Sequence, residues 1–178
     1  MWDRRGVEKI EVYMGEFVAA ASFRSADDDF VWAFAGVYGP NSNVDRKFLW
    51  EELTGLISWW DLPWCIGGDF NVTRFPSERS RNVRQSSAMS DFSDFISSHG
   101  LMDFPLAGGT FTWSNNGSWS RLNRFIVSPQ WEVKFPNLLQ KRLNRLCSNH
   151  FLILLDCGGI QGRKVRSNLR ICGRRLTA

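Results

Sequence analysis

The stretch Trp64-Cys65-Ile66-Gly67-Gly68-Asp69-Phe70-Asn71 runs from an apolar strand through two glycines into an acid and an amide set two residues apart. Glycines let a backbone leave a strand end without a Cβ clash, so a ligand can come close. In extended chain, residues i and i+2 point the same way, which puts Asp69 and Asn71 on one face. A carboxylate orients or deprotonates water, and a neutral amide donates to a phosphate oxygen without repelling it. Taken alone, the same residues also make a Gly-rich turn with an Asx cap.

The chain has 178 residues, enough for one domain with a real core and too few for two ordinary ones. Apolar content of 43% with 14% aromatics excludes a disordered chain. The strongest apolar run, Phe151 to Leu155, suits a buried strand and falls short of a membrane span. Met1-Trp2-Asp3-Arg4-Arg5 lacks the apolar region of a secretory signal. Cys65, Cys147, Cys157 and Cys172 show no C-x-x-C spacing, which argues against zinc. Two of them sit in or beside apolar runs and suit reduced core thiols, so an intracellular location, nuclear or cytoplasmic, is expected. The net charge of +4 is uneven. Residues 157–178 hold Arg163, Lys164, Arg166, Arg170, Arg174 and Arg175 and no acid, leaving 16 basic against 18 acidic groups elsewhere. That basic end can hold phosphates non-specifically, but a solvated, disordered tail over 161–178 is the expectation.

Lys9–Met14 and Glu16–Phe23 are expected strands around Gly15, and Phe30–Tyr38 a third, ended by Gly39-Pro40-Asn41. Leu49, Leu53, Leu56, Ile57 and Trp60 recur at helical spacing after Ser42, so a helix is expected up to Pro63. Arg74–Ser87 is polar and without period, a loop. Phe92, Phe95 and Ile96 mark a short helix with Gly100 as its C-cap and His99, in a structural role, beside it. Gly109–Ser114 and Arg121–Ser128 are expected to pair around Asn115-Asn116-Gly117, with a short helix over Trp131–Leu139 and a last strand over Phe151–Asp156. Hairpins outnumber helices, which predicts an α+β fold of mixed sheets with a few covering helices.

Three further segments carry groups suited to phosphate chemistry: Tyr38-Gly39-Pro40-Asn41, Ser120-Arg121-Leu122-Asn123-Arg124-Phe125, and Ser148-Asn149-His150. The alternation in the second of these predicts Arg121 and Asn123 on one face. In order, Y-x-P-N, G-D-x-N, T-F-T-W, S-R-[IL]-x-R-F and S-x-H resemble the endonuclease/exonuclease/phosphatase superfamily, whose fold is deoxyribonuclease I-like. The chain is most similar to the endonuclease domain of plant non-LTR retrotransposons, through G-D-F-N-V, L-A-G-G-T-F-T-W-S-N-N and F-L-W-E-E-L. The resemblance spans residues 2–160. It implies a four-layer α/β/β/α sandwich over 1–160, incomplete at the N-terminus, and a monomeric Mg²⁺-dependent hydrolase that nicks DNA. By the same resemblance Asp69 orients or deprotonates the water, Asn71 binds the scissile phosphate, Tyr38 supports the phosphate or leaving oxygen, and His150 stabilises phosphoryl charge. Asn41 and Arg121 would contact nucleic acid, and Phe111 and Trp113 would stack on it, although a packed core accounts for the aromatics equally well.

Two positions depart from the pattern. The superfamily's R-[IL]-D is here Arg121-Leu122-Asn123, and its S-D-H is Ser148-Asn149-His150. An amide holds a histidine ring but supplies no charge. At the metal, Asn149 is a weak substitute for an acid, because Mg²⁺ relies on carboxylate charge. The superfamily's early asparagine and metal-binding glutamate have no counterpart upstream of Lys9, so a truncated, impaired copy is expected. Ser167–Arg174, back-translated and read one nucleotide earlier, spells F-K-F-E-N-M-W-S, the relatives' own continuation. The tail is therefore expected to be a frameshift product.

Overall fold

The computed structural model describes residues 6–81, 83–145 and 148–158, together with the backbone of 168–171. Strands β1 (Val7–Met14), β2 (Val18–Ser25) and β3 (Val31–Tyr38) form an antiparallel meander. Helix α1 (Asn43–Trp59) then carries the chain across to β4 (Trp64–Asp69), which runs parallel to β3. Strand β9 (Asn123–Val127) pairs antiparallel with β4, and β5 (Met102–Asp103) with β9, giving one six-stranded sheet in the order β1-β2-β3-β4-β9-β5. A smaller sheet joins β6 (Leu106–Ala107), β10 (Leu139–Arg142), β11 (Ile153–Asp156) and β12 (Asn168–Ile171) in the order β12-β11-β10-β6. Strands β7 (Trp113–Asn115) and β8 (Ser118–Ser120) make a separate hairpin.

Helix α1 begins where Ser42 Oγ accepts the N–H groups of Val44 and Asp45, at 3.2 and 3.4 Å. Helix α2 (Ser87–Ser98) begins the same way, on Ser86 Oγ. Both turn their apolar faces onto the large sheet. There the strands offer small side chains (Ala20, Ala33, Ala35) and the helices large ones, with Trp50 stacked on Phe92 and Phe95 at 5.1 and 5.0 Å. Small against large fills the layer at close-packed density. The other face of the sheet packs Cys65, Phe125 and Val127 against Ile153 and Leu155 of β11 and Trp131 of α3 (Pro129–Lys134). Helix pair, large sheet and small sheet are the first three of the four layers expected, and α+β is the class.

Several local expectations need correcting. The 109–114 and 121–128 segments do not pair with each other. Residues 113–115 pair with 118–120, while β9 leaves to pair with β4, because its fully buried run satisfies the central sheet. The Trp131–Leu139 helix spans only Pro129–Lys134, and Leu139 opens β10. His99 is the C-cap of α2, and Gly100 follows it at φ +59°. The loop expected over 74–87 contains a 3₁₀ turn at Pro76–Glu78. Within the segment expected to be an irregular tail, the backbone of β12 pairs with β11. Cys65 and Cys157 are buried free thiols. The expectations for Met1–Arg5, Cys147, Cys172 and the tail's basic side chains lie outside the described residues. No helix among the described residues is long and apolar enough to cross a membrane.

Candidate functional site

Strand register builds the first part of the site. The parallel β3/β4 pairing sets Tyr38 beside Asp69, and the antiparallel β4/β9 pairing sets Asn123 opposite it. Neighbouring partners face the same side, so three polar side chains form one row toward the small sheet. Asp69 is 2% exposed and Tyr38 is 42% exposed, so the row climbs from the interior to solvent.

Two glycines let the strand ends close up. A Cβ on Gly68, at φ +156°, would run into the Val37 carbonyl, and one on Gly39 into that of Phe70. Gly39 N–H donates to the Asp69 carbonyl at 2.6 Å. Asn71 sits at φ +50°, outside the extended conformation that strand alternation assumes. What brings it to Asp69 is an Asx turn: its N–H donates to Asp69 Oδ1 at 3.0 Å, and its Nδ2 donates to the Gly39 carbonyl at 2.6 Å. The buried Arg46 of α1 ties these loops together, donating to the carbonyls of Pro40, Asn41 and Asn71 at 3.0–3.2 Å. Burial holds its guanidinium below the usual arginine range.

The second part hangs on a threonine. Thr112 is fully buried, and its Oγ1 accepts the N–H groups of Leu122 and Asn123 at 2.8 and 2.9 Å. Its carbonyl accepts the Phe151 N–H, and Trp113 bridges the backbone of His150. Thr112 thereby fixes Asn123 and His150 relative to each other. His150 Nδ1 lies 2.9 Å from Asn123 Oδ1 and 3.6 Å from Asp69 Oδ2. An amide oxygen only accepts, so in this contact Nδ1 is the donor. Burial pushes the Asp69 carboxyl above its usual range, and the His150 charge and the Asn71 N–H only partly offset this.

Tyr38, Asp69, Asn71, Asn123 and His150 thus converge. Asn41 and Asn149 are exposed nearby, each held through its backbone carbonyl, by Arg46 and by the Ser114 N–H respectively. Phe111 and Trp113 are half-buried on either side of Thr112. Arg121 is a correction. It precedes β9 rather than sharing its alternation, and its guanidinium is taken by Glu78 Oε1 (3.3 Å), Asp103 Oδ1 (2.9 Å) and the Phe104 carbonyl (2.7 Å). It is not free to hold phosphate. His99 is structural, bonded to Thr54 Oγ1 at 3.0 Å, and burial lowers its pKa against the cation that a helix end favours. Sequence reasoning missed Arg46 and Thr112. A base in a helix's first turn, where the dipole favours acids, was the only hint of the former. The latter was hidden between two more conspicuous aromatics.

Solved structures of differently named proteins share this arrangement of sheets and helices. An endonuclease/exonuclease/phosphatase family protein from Bacteroides thetaiotaomicron superposes with a TM-score of 0.61 at 17% identity, over 86% of this chain and 66% of its own. The endonuclease domain of TRAS1, a telomere-specific non-LTR retrotransposon, gives 0.63 at 11% identity, over 82% and 64%. This chain has the deoxyribonuclease I-like fold. A mannosyl-6-phosphatase from B. thetaiotaomicron shares that fold, with a TM-score of 0.52 at 18% identity over 84% and 66%. The chain spans just under two thirds of the length of each of these structures. No family model and no curated protein matches the sequence. A fold shared by a phosphatase and an endonuclease fixes the scaffold, while the substrate is set by the side chains on it.

Proposed function

We infer that the chain carries a phosphodiesterase site for DNA, of the plant retrotransposon type, with strongly impaired hydrolysis. The observation that supports it is the Tyr38–Asp69–Asn123 row closed by His150, assembled from four segments whose wording resembles those endonucleases. Asp69, with its pKa raised by burial, is a suitable base for the attacking water. Its Oδ1 is steadied by Asn71, whose second Nδ2 hydrogen is available for a phosphate oxygen. His150, held through Nδ1, presents Nε2 to the phosphoryl group, and the exposed Tyr38 phenol reaches the phosphate or leaving oxygen. The exposed Asn41, tied to Asn71 through Arg46, would contact the nucleic-acid backbone. In this reading residues 1–160 act as one intracellular, monomeric domain.

Mg²⁺ does not fit the donor set. Asp69 is the one carboxylate in the row, and its oxygens already serve Asn71 and His150. Asn123 and Asn149 offer neutral amides, and a hard divalent cation needs anionic oxygen to offset its dehydration. Among the described residues no group of three or more His, Cys, Asp and Glu side chains is placed to hold a metal. The roles above therefore rest on protein groups alone. Plasmid nicking in Mg²⁺ tests the proposal with the wild-type chain, Asp69→Ala and the double variant Asn123→Asp/Asn149→Asp. The expected outcome is at most trace nicking by the wild type and at least a tenfold gain in the double variant, toward the ~10²–10⁴-fold that such groups supply. Robust wild-type nicking that Asp69→Ala abolishes would refute the impairment, and a double variant still inert would refute the site.

A further inference from the structure

Beside His150 lies a cluster of rings and cations that the hydrolytic roles leave unused. Trp119 of β8 stacks on Phe151, the residue after His150, at 6.4 Å and 26°, and Phe111 stands 6.5 Å from Trp119. Arg142 and Arg145 place their guanidinium carbons 4.2 and 4.4 Å from the centre of the Phe151 ring, and Arg145 lies 5.9 Å from that of Trp119. Arg142 donates to the carbonyls of Gly108 and Phe111, and Arg145 to Ser114 Oγ. Those contacts orient both planes without neutralising them. Among the described residues neither arginine meets a carboxylate. Arg121 and Arg124, by contrast, are both matched to Glu78 and Asp103. Phe111, Trp119 and Phe151 are half-buried and Arg145 is exposed, so the cluster is reachable from solvent.

We propose that Trp119, Phe151, Arg142 and Arg145 form a platform for an unpaired nucleotide of a single-stranded segment passing the His150 site. The recognised class is single-stranded nucleic acid, and this rests on the nucleic-acid reading of the site above. A half-buried indole and guanidinium planes offer flat faces for a base, and two cations that meet no carboxylate among the described residues suit the adjoining phosphates. Every base has a π-face to stack, so the platform is sequence-tolerant. A duplex keeps its bases stacked on one another and gains only the charge contribution.

Fluorescence anisotropy with the full chain in EDTA tests this, using an oligo(dT) of about 12 nucleotides and the matching duplex. The wild type is expected to bind the single strand more tightly than the duplex. Trp119→Ala weakens single-strand binding about 5- to 150-fold with an unchanged salt slope. Arg145→Ala weakens it and lowers the log–log salt slope by about 0.7, and Arg145→Lys restores the slope but not the full affinity. Trp119→Phe, which keeps a ring, retains most of the binding and serves where the alanine variant fails to fold. Duplex preference, no binding, or affinities unchanged in Trp119→Ala and Arg145→Ala would overturn the platform. Hydrolysis plays no part in EDTA, so an inactive chain that binds as described sinks neither idea. Nicking without single-strand preference removes the platform alone.

Discussion

Asp69 and Glu78 are both buried carboxylates, and the molecule treats them in opposite ways. Glu78 lies between Arg124 (Oε2, 2.7 Å) and Arg121 (Oε1, 3.3 Å), and its Oε2 also accepts the Arg74 N–H at 2.6 Å. Burial by itself would raise the Glu78 pKa, but the Arg124 hydrogen bond and charge more than offset that and hold it below the usual range. Asp69 has one backbone N–H and a histidine at 3.6 Å, and burial wins. Adjacent residues of β9 serve the two regions: Asn123 faces the site, and Arg124 faces the helices and the ion pairs. The carboxylate that holds the fold is fully matched. The one suited to chemistry is left under-compensated, a common mark of a functional group.

This contrast is open to direct attack, and the largest effect is expected at the matched end. Glu78→Gln leaves Arg124 short of charge at a fully buried position and should cost about 3–5 kcal/mol of stability in urea unfolding. A loss below 1 kcal/mol would mean Asp103 carries Arg124 unaided. Thr112→Val, equal in shape, strands the Leu122 and Asn123 N–H groups and should cost about 1–3 kcal/mol. It should also disturb the His150 ring signals in NMR spectra, which a purely local loss would leave in place.

Smaller effects belong to the site itself. Asp69→Asn should raise stability at neutral pH by about 0.5–2 kcal/mol while removing any residual hydrolysis. The sign follows from linkage. A carboxyl whose folded pKa is raised above its ordinary 3.8 binds more protons folded than unfolded, so native stability falls as pH rises through that window. The advantage of Asp69→Asn should therefore shrink on acidification. Glu78 has the reverse dependence: its contribution is present above its ordinary 4.5 and lost as pH falls through its folded value. Parallel urea titrations of both variants across the acid range read the two slopes, and slopes of equal sign would dissolve the contrast. Tyr38→Phe should change stability by less than about 0.5 kcal/mol, because the ring is 42% exposed. A larger change would give the phenol a structural duty.

Edges and loops marked the limit of what the sequence made legible. Period-two burial in Val18–Val37 and the Ser42 cap were local signals, and the elements formed where those signals put them. Gly109–Ser114 also read as a strand next to 121–128, but partner choice depends on which buried surface β9 fills, and that surface belongs to β4. Asp69 and Asn71 were recognisable from spacing, yet the Asx turn that joins them required a left-handed Asn71 that alternation does not encode. Arg121 looked like a free cation because Glu78 and Asp103 lie 43 and 18 residues away along the chain.

By itself, the sequence determined the α+β class, the start of α1 at Ser42 and the strand that carries Gly67 and Gly68 to Asp69. These follow from backbone sterics and near-neighbour periodicity, which act within a few residues. Only the tertiary structure decided which charges are free. It consumed Arg121, left Arg142 and Arg145 without a carboxylate partner among the described residues, raised the Asp69 pKa and set an amide oxygen against His150. Burial and electrostatics depend on distances through space, and those distances exist only once β4, β9 and the small sheet have packed together.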